Sequence, residues 1–169
     1  MSVLSPLTTE TTLSDFRREA AAHNVLLEDP SPRRTDAVPH AGEGRRKAPR
    51  GLLRWQVRKL REYVDSHLPS PILVADLCVL VGLSEAYFTR CFKNSFGISP
   101  YAFVLRRRLE LAARYMLQTD APLSDVALRC GFADQAHLGN RFRDAIGVPP
   151  AAWRRFHCAS GMYKPDETA

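Results

Sequence analysis

The chain repeats part of itself once, and this repeat limits the possible fold more than any other feature of the sequence. Three residues recur 49 positions later, since Asp76, Leu77 and Gly82 match Asp125, Val126 and Gly131. Six more recur 50 positions later, since Phe88, Phe92, Gly97, Ile98, Pro100 and Phe103 match Leu138, Phe142, Gly147, Val148, Pro150 and Trp153. Nine paired positions with one inserted residue indicate that a single structural unit is present twice.

Each copy contains a short helical segment, a glycine and a longer helical segment, which is the plan of a helix-turn-helix unit. A pair of stacked hairpins from a solenoid is the alternative. Solenoids usually need three or more units to bury a continuous core, so two copies argue against this alternative. The repeat therefore predicts two helix-turn-helix units in tandem.

The spacing of apolar residues predicts helices throughout this region and no strand. From residue 52 onward, one helical face carries apolar side chains at four- and three-residue steps: Leu53, Val57, Leu60 and Val64. We predict further helices over residues 74–81, 84–96 and 100–118, with Ser84 and Ser99 as N-caps and Pro100 in the first turn. Repetition of the pattern after residue 122 gives an all-α fold of about seven helices, with two helix-turn-helix subdomains joined by a long linker helix.

Composition divides the chain into three parts. Residues 1–51 are rich in Thr, Ser and Pro and are predicted to form a mostly disordered tail, with one short helix over residues 15–22. Residues 52–157 form the predicted tandem helix-turn-helix domain, and residues 158–169 a C-terminal tail. The cluster Arg45-Arg46-Lys47 next to the domain is either a basic arm for phosphates or a solvated charge run.

The longer helix of each copy carries the predicted recognition surface. Apolar residues four positions apart form its buried face: Phe88, Phe92 and Phe96, then Leu138, Phe142 and Ile146. The opposite face displays small or hydrogen-bonding side chains that suit base edges in a major groove: Glu85, Ala86, Thr89, Arg90, Gln135, Ala136, Gly139 and Asn140. Lys93 and Arg143 are the predicted phosphate contacts. An ordinary solvated face explains either helix alone equally well, but not the same arrangement in both.

The predicted linker helix has a length that suits two adjacent grooves. Nineteen residues from 100 to 118 span roughly 28 Å of helix, and one turn of duplex DNA is about 34 Å. Its buried side is predicted to comprise Leu105, Leu109, Ala112 and Met116. The arginines 106–108 and Arg114 are predicted to lie partly on the outer side of this helix. They either contact the DNA backbone or have a salt-bridge or solvated role.

Charge and cysteine usage restrict the function class. Residues 51–158 carry 15 Lys and Arg against 9 Asp and Glu, and this basic excess favours nucleic acid or an acidic surface as partner. The cysteines Cys78, Cys91, Cys130 and Cys158 include no CxxC pair, so we interpret them as buried thiols in a reducing compartment, with a redox sensor as the alternative.

We expect no catalytic site, metal or cofactor, because the histidines lack zinc spacing and no phosphate loop or serine elbow occurs. Without a long apolar run or a signal pattern, the chain is expected to be cytoplasmic and free of membrane.

The second copy resembles the signature of the AraC/XylS family of bacterial transcription regulators. The similarity covers residues 52–156 and is most specific in Gly131-Phe132-Ala133-Asp134-Gln135-Ala136-His137-Leu138, followed by Phe142, Gly147-Val148-Pro149-Pro150 and Trp153-Arg154. Two residues depart from the pattern. Asn140 stands where an arginine is common, so the family pattern does not define base preference in the second groove, and Leu138 replaces a frequent Phe as a packing change.

The resemblance implies a regulator that binds double-stranded DNA with helices 84–96 and 134–146 in adjacent major grooves. It further implies transcription activation in most members, which suggests RNA polymerase as a second partner. The short tail leaves no room for the usual sensor domain, so we expect a monomer on DNA, unless the chain is a fragment of a longer ligand-sensing regulator. A helical protein-interaction module that does not bind DNA is the competing class.

Overall fold

The computed structural model describes residues 51–159, which form seven helices and no strand. The helices are α1 (Arg54–His67), α2 (Val74–Val81), α3 (Glu85–Phe96), α4 (Pro100–Gln118), α5 (Leu123–Arg129), α6 (Gln135–Ile146) and α7 (Pro150–Ala159). The all-α prediction and the bounds predicted for α2, α3 and α4 are confirmed. The predicted tails, the short helix over residues 15–22 and the basic cluster 45–47 lie outside the described residues. No helix within residues 51–159 has the length and apolar character needed to cross a membrane.

The described residues divide into two compact units. The first unit comprises residues 51–66 and 72–104, and therefore α1, α2, α3 and the start of α4. The second unit comprises residues 67–71 and 105–159, and therefore the rest of α4 with α5, α6 and α7. Each repeat copy thus lies within one unit, and α4 contributes residues to both.

Aromatic rings fill much of the first unit's core. Phe88 and Phe92 are fully buried, and the rings of Phe92 and Phe96 stack with centroids 4.3 Å apart. Phe103 packs edge-on against Phe92 at 5.6 Å and also contacts Phe96 at 4.7 Å. Phe96 is only half-buried, and the Arg61 guanidinium lies 5.5 Å from its ring centre. The predicted core face of α3 is therefore confirmed, with its last residue at the edge of the core.

The predicted apolar face of α1 is wrong at its first position. Leu60 and Val64 are fully buried, but Leu53 precedes the helix and is 60% exposed. The buried position near the start of the helix belongs to Gln56. Its Oε1 accepts from the Leu53 N–H at 2.9 Å, and its Nε2 donates to the Val81 carbonyl at 3.1 Å. Gln56 thereby joins the start of α1 to the end of α2, because both backbone groups lack helical partners there.

The second unit is built around α4. Leu105, Leu109, Ala112 and Met116 are buried as predicted, and they pack with residues of α5, α6 and α7. Arg108 of the same helix donates from Nε to the Leu68 carbonyl at 3.0 Å and from Nη2 to the Ser70 carbonyl at 2.8 Å. The segment 67–71 is thereby fixed to α4 by a side chain some 40 residues away in sequence.

The N-cap residues of α3 and α4 lie at the predicted positions, but only one of the two makes the expected capping hydrogen bond. The Ser99 hydroxyl accepts from the Ala102 N–H at 3.2 Å, as a cap does. Ser84 occupies the N-cap position of α3 with an extended backbone, but its side chain makes no capping hydrogen bond, so the predicted bonding at Ser84 is wrong.

Three of the four cysteines are buried and none forms a disulfide, which agrees with the interpretation of Cys78, Cys91 and Cys130 as buried thiols. Cys158 is half-buried. Cys130 follows α5 directly in the turn of the second copy, and burial raises the pKa of its thiol to about 12. Arg108 and Arg114 lower that pKa, but by less than burial raises it.

Candidate nucleic-acid interface

In the first unit, α3 presents the predicted recognition residues to solvent. Burial of Phe88, Cys91 and Phe92 fixes which side of the helix faces the core. The predicted residues lie on the other side, and all are exposed: Glu85, Ala86, Thr89, Arg90 and Lys93. The set combines one carboxylate, one methyl group, one hydroxyl and two cations, so this face offers hydrogen bonds together with positive charge.

In the second unit, α6 has the same construction. Leu138, Phe142, Ala145 and Ile146 are buried, which leaves the opposite side free. Of the predicted residues, Gly139 is half-buried and the others are exposed: Gln135, Ala136, Asn140 and Arg143. A Cβ atom on Gly139 would meet no other atom within 4 Å, so the surface above this glycine is open and a partner can approach the backbone closely. The structure thus brings each set of predicted residues together on one exposed helix face.

Local hydrogen bonds define the start of α6. The Asp134 carboxylate accepts from the His137 N–H at 2.7 Å and caps the helix. The His137 ring in turn accepts at Nδ1 from the Ala133 N–H at 3.4 Å, and it packs edge-on against Phe132. These two hydrogen bonds hold the backbone of the first turn of α6, and thereby fix the direction of the Gln135 and Ala136 side chains.

Asn140 and Arg143 are joined by a hydrogen bond that the sequence interpretation missed. Arg143 donates from Nη2 to the Asn140 Oδ1 at 3.0 Å. Residues three apart on a helix are neighbours on its surface, and this spacing was the available signal for a contact. The sequence pattern predicts a base contact for Asn140 and a phosphate contact for Arg143, and neither role requires a bond between the two residues.

The linker arginines form bonds within the protein. Arg106 and Arg107 both pair with the buried Glu110 carboxylate, at 3.3 Å and 2.5 Å. Arg108 bonds the carbonyls of the 67–71 segment. Of the two roles left open for these arginines, the structure supports the salt-bridge role for Arg106 and Arg107. Arg154 of the signature also acts internally, since its Nη1 donates to the Ala121 carbonyl at 2.9 Å.

Both predicted faces combine hydrogen-bonding groups with positive charge. Across residues 51–159, no three His, Cys, Asp or Glu side chains are grouped so that they could hold a metal ion. The two predicted faces together carry three cations, Arg90, Lys93 and Arg143, against one carboxylate, Glu85. A surface of exposed donors with a positive excess suits a polyanion whose surface presents hydrogen-bond acceptors.

The sequence matches a family described as a helix-turn-helix domain over residues 77–155. Among curated proteins it is similar to a probable transcriptional regulator, LumQ, of Photobacterium leiognathi, with 37% identity over 94 residues. That match covers 56% of this chain and 38% of LumQ. The chain spans only about a third of the length of the curated relatives it matches, with 38%, 34% and 33% for three of them.

Two solved structures are similar to the described domain. The DNA-binding domain of the global transcriptional factor AdpA, solved in complex with a target DNA, shows 28% identity and a TM-score of 0.59, covering 62% of this chain and 95% of that one. A probable AraC family transcriptional regulator from Rhodopseudomonas palustris CGA009 shows 31% identity and a TM-score of 0.54, covering 60% of this chain and 95% of that one.

Proposed function

Because this chain belongs to the AraC/XylS family of transcription regulators, we propose that it binds double-stranded DNA in a sequence-specific manner and activates transcription. One observation carries the proposal: α3 and α6 each present, at equivalent positions of the repeat, a largely exposed face of short polar and cationic side chains opposite a buried apolar face. Helices of this kind dock in a major groove, whose base edges they contact directly.

The proposed base contacts are the predicted ones. In the first groove they come from Glu85, Ala86, Thr89 and Arg90, and in the second from Gln135, Ala136, Gly139 and Asn140. Lys93 neutralises a phosphate at the edge of the first groove. The small residues matter as much as the polar ones, because Ala86, Ala136 and Gly139 let the helix backbone approach the bases.

The proposal includes a single chain per site. The two recognition faces differ in residue type, so one chain has two unlike readers and requires no second copy for a complete site. Its place of action is the cytoplasm, where a bacterial chromosome lies. Activation requires contact with RNA polymerase, which is the second partner that we propose.

The test is a selection of bound fragments from random duplex DNA, followed by titration of the selected duplex and a scrambled one between 50 and 200 mM salt. We expect the selected duplex to bind about a thousandfold or more tightly than the scrambled one. Affinity for both should fall steeply with salt, because phosphate neutralisation releases counterions. Absence of binding to any duplex at 50 mM salt would contradict the proposal and favour a protein-interaction module.

Two further measurements check the remaining parts. Sedimentation of the complex with the selected duplex should give one chain per DNA molecule, whereas two chains would contradict the monomer. Transcription in vitro from a promoter carrying the selected site should rise when the protein is added with RNA polymerase. A fall in transcript would identify a repressor.

A further inference from the structure

The hydrogen bond between Arg143 and Asn140 changes what the second recognition helix can read. An asparagine amide carries an acceptor oxygen and a donor nitrogen, while an arginine guanidinium carries donors only. The amide atom that faces Arg143 must therefore be the oxygen, as the 3.0 Å contact to Oδ1 has it. The nitrogen, with its two N–H groups, is then the part of Asn140 that remains for a ligand.

We propose that Asn140 and Arg143 act as one reading unit that offers only donors and selects a guanine in the second half-site. This inference rests on the proposed DNA-binding function. An isolated asparagine reads adenine, because its oxygen accepts from the adenine N6 amino group while its nitrogen donates to N7. Arg143 occupies one of the two lone pairs of the Asn140 oxygen and places a cationic donor beside it, so the adenine N6 amino group would meet a competing donor there. Guanine presents two adjacent acceptors, N7 and O6, which take N–H groups from Asn140 and from Arg143.

The internal repeat supports the pair independently. Fifty positions earlier, Arg90 and Lys93 stand at the places of Asn140 and Arg143. Both are side chains without an acceptor. The hydrogen bond therefore brings Asn140 closer to the donor character that its counterpart Arg90 has by itself, and donors predominate at these two positions in both recognition helices. This assignment moves Arg143 from phosphate contact to base contact.

The test is a comparison of base preferences among sites selected from random duplex DNA by the full chain and its variants. Asn140→Ala identifies the base position concerned, as the one whose preference disappears. At that position the unmodified protein should favour guanine over adenine by about tenfold, the size of one good base contact. Arg143→Ala frees the Asn140 oxygen, so preference at the same position should change from guanine to adenine.

Arg155→Ala is the matched control. It removes the same charge from an exposed residue of the same unit, outside the recognition helix, and should leave guanine preferred. Circular dichroism confirms that each variant is folded, as expected for exposed positions.

Three results would overturn the reading unit while leaving sequence-specific DNA binding intact. They are adenine preference in the unmodified protein, an Asn140→Ala variant with unchanged preferences at every position, and an Arg143→Ala variant that keeps guanine and loses affinity equally on all sequences. The last of these is the behaviour of a phosphate contact. Failure of the unmodified protein to bind any duplex would overturn the proposed function and the reading unit together.

Discussion

Gly131 lies so close to Leu68 that a Cβ atom at position 131 would overlap the Leu68 carbonyl oxygen. The same Cβ would lie 2.8 Å from the Arg108 Nε, which donates to that oxygen. The glycine also has a φ of 80°, a conformation that costs an L side chain about 1 kcal/mol or more. Both the backbone conformation and the close packing of the 67–71 segment thus require glycine here.

Three glycine substitutions separate the effect of backbone conformation on stability from the effect of close packing. Gly82→Ala places a side chain at φ 67° in open space and should cost about 1 kcal/mol of unfolding free energy. Gly131→Ala adds the overlap with Leu68 and should cost about 3 kcal/mol or more. Gly139→Ala, within α6 and with open space around it, should be stabilising by up to about 1 kcal/mol. Urea denaturation measures all three, and equal costs for Gly82→Ala and Gly131→Ala would show that the segment moves aside.

Gln56 provides a second test of stability. Gln56→Leu leaves the Leu53 N–H and the Val81 carbonyl without their side-chain partner. We expect a loss of about 1–3 kcal/mol in unfolding free energy, the usual cost of an unsatisfied buried group. Gln56→Glu is the control, because the carboxylate can still accept from Leu53 but cannot donate to Val81. A stability equal to that of the unmodified protein in Gln56→Leu would mean that water replaces both bonds.

Base and phosphate contacts should respond differently to alanine. Arg90→Ala and Gln135→Ala should each remove about 1–3 kcal/mol of discrimination at one base position. Lys93→Ala should weaken all duplexes alike and reduce the salt slope by about one unit. Competition titrations with single-base variants of the selected site distinguish the two classes. An equal loss on specific and random DNA for Arg90→Ala would show that Arg90 contacts a phosphate.

The spacing of the two half-sites on DNA tests whether both helices bind the same duplex. If both helices read one face of the duplex about 10 base pairs apart, inserting about five base pairs between the half-sites moves one of them to the far side. Binding in gel shifts should then fall to the level of a single half-site. The same five base pairs inserted outside the site provide the control and should have no effect. Unchanged binding after the internal insertion would mean that only one helix contacts DNA or that the linker is flexible.

The raised pKa of Cys130 predicts a pH dependence. Its thiol keeps its proton in the folded chain up to about pH 12, whereas the unfolded chain releases it near pH 9.0. The folded state is therefore fully favoured below pH 9 and loses stability as the pH rises towards 12, by about 1.4 kcal/mol for each pH unit from this group. Between pH 8 and pH 10.5 the unmodified protein should lose more unfolding free energy than Cys130→Ala. Parallel losses in the two proteins would contradict the assignment.

The fold could be predicted where burial follows the helical period. Leu105, Leu109, Ala112 and Met116 are buried as predicted, because a residue's face on a helix depends only on its position along the helix. Gln56 could not be predicted, since a polar residue becomes a core residue only when distant backbone groups bond to it. Those groups include the Val81 carbonyl, 25 residues away.

The same reason limits prediction of the candidate site. The exposure of each residue on α3 and α6 follows from periodicity. The predicted residues are exposed except Gly139, which is half-buried. What the Asn140 amide offers to a ligand depends on a side-chain hydrogen bond, and periodicity does not determine such bonds. Ser84 shows the same limit, because it lies at the predicted N-cap position but does not make the predicted capping hydrogen bond.

The segment 67–71 also affects how the chain folds while it is being made. A ribosome releases this segment long before Arg108 and Gly131, 40 and 63 residues later, have been synthesised. The loop between α1 and α2 is therefore made before its native partners, and α3 emerges in the meantime. The loop can reach these native contacts only after the chain up to Gly131 has left the exit tunnel. The order of synthesis and the order of assembly thus differ, although the two copies of the repeat follow each other in the sequence.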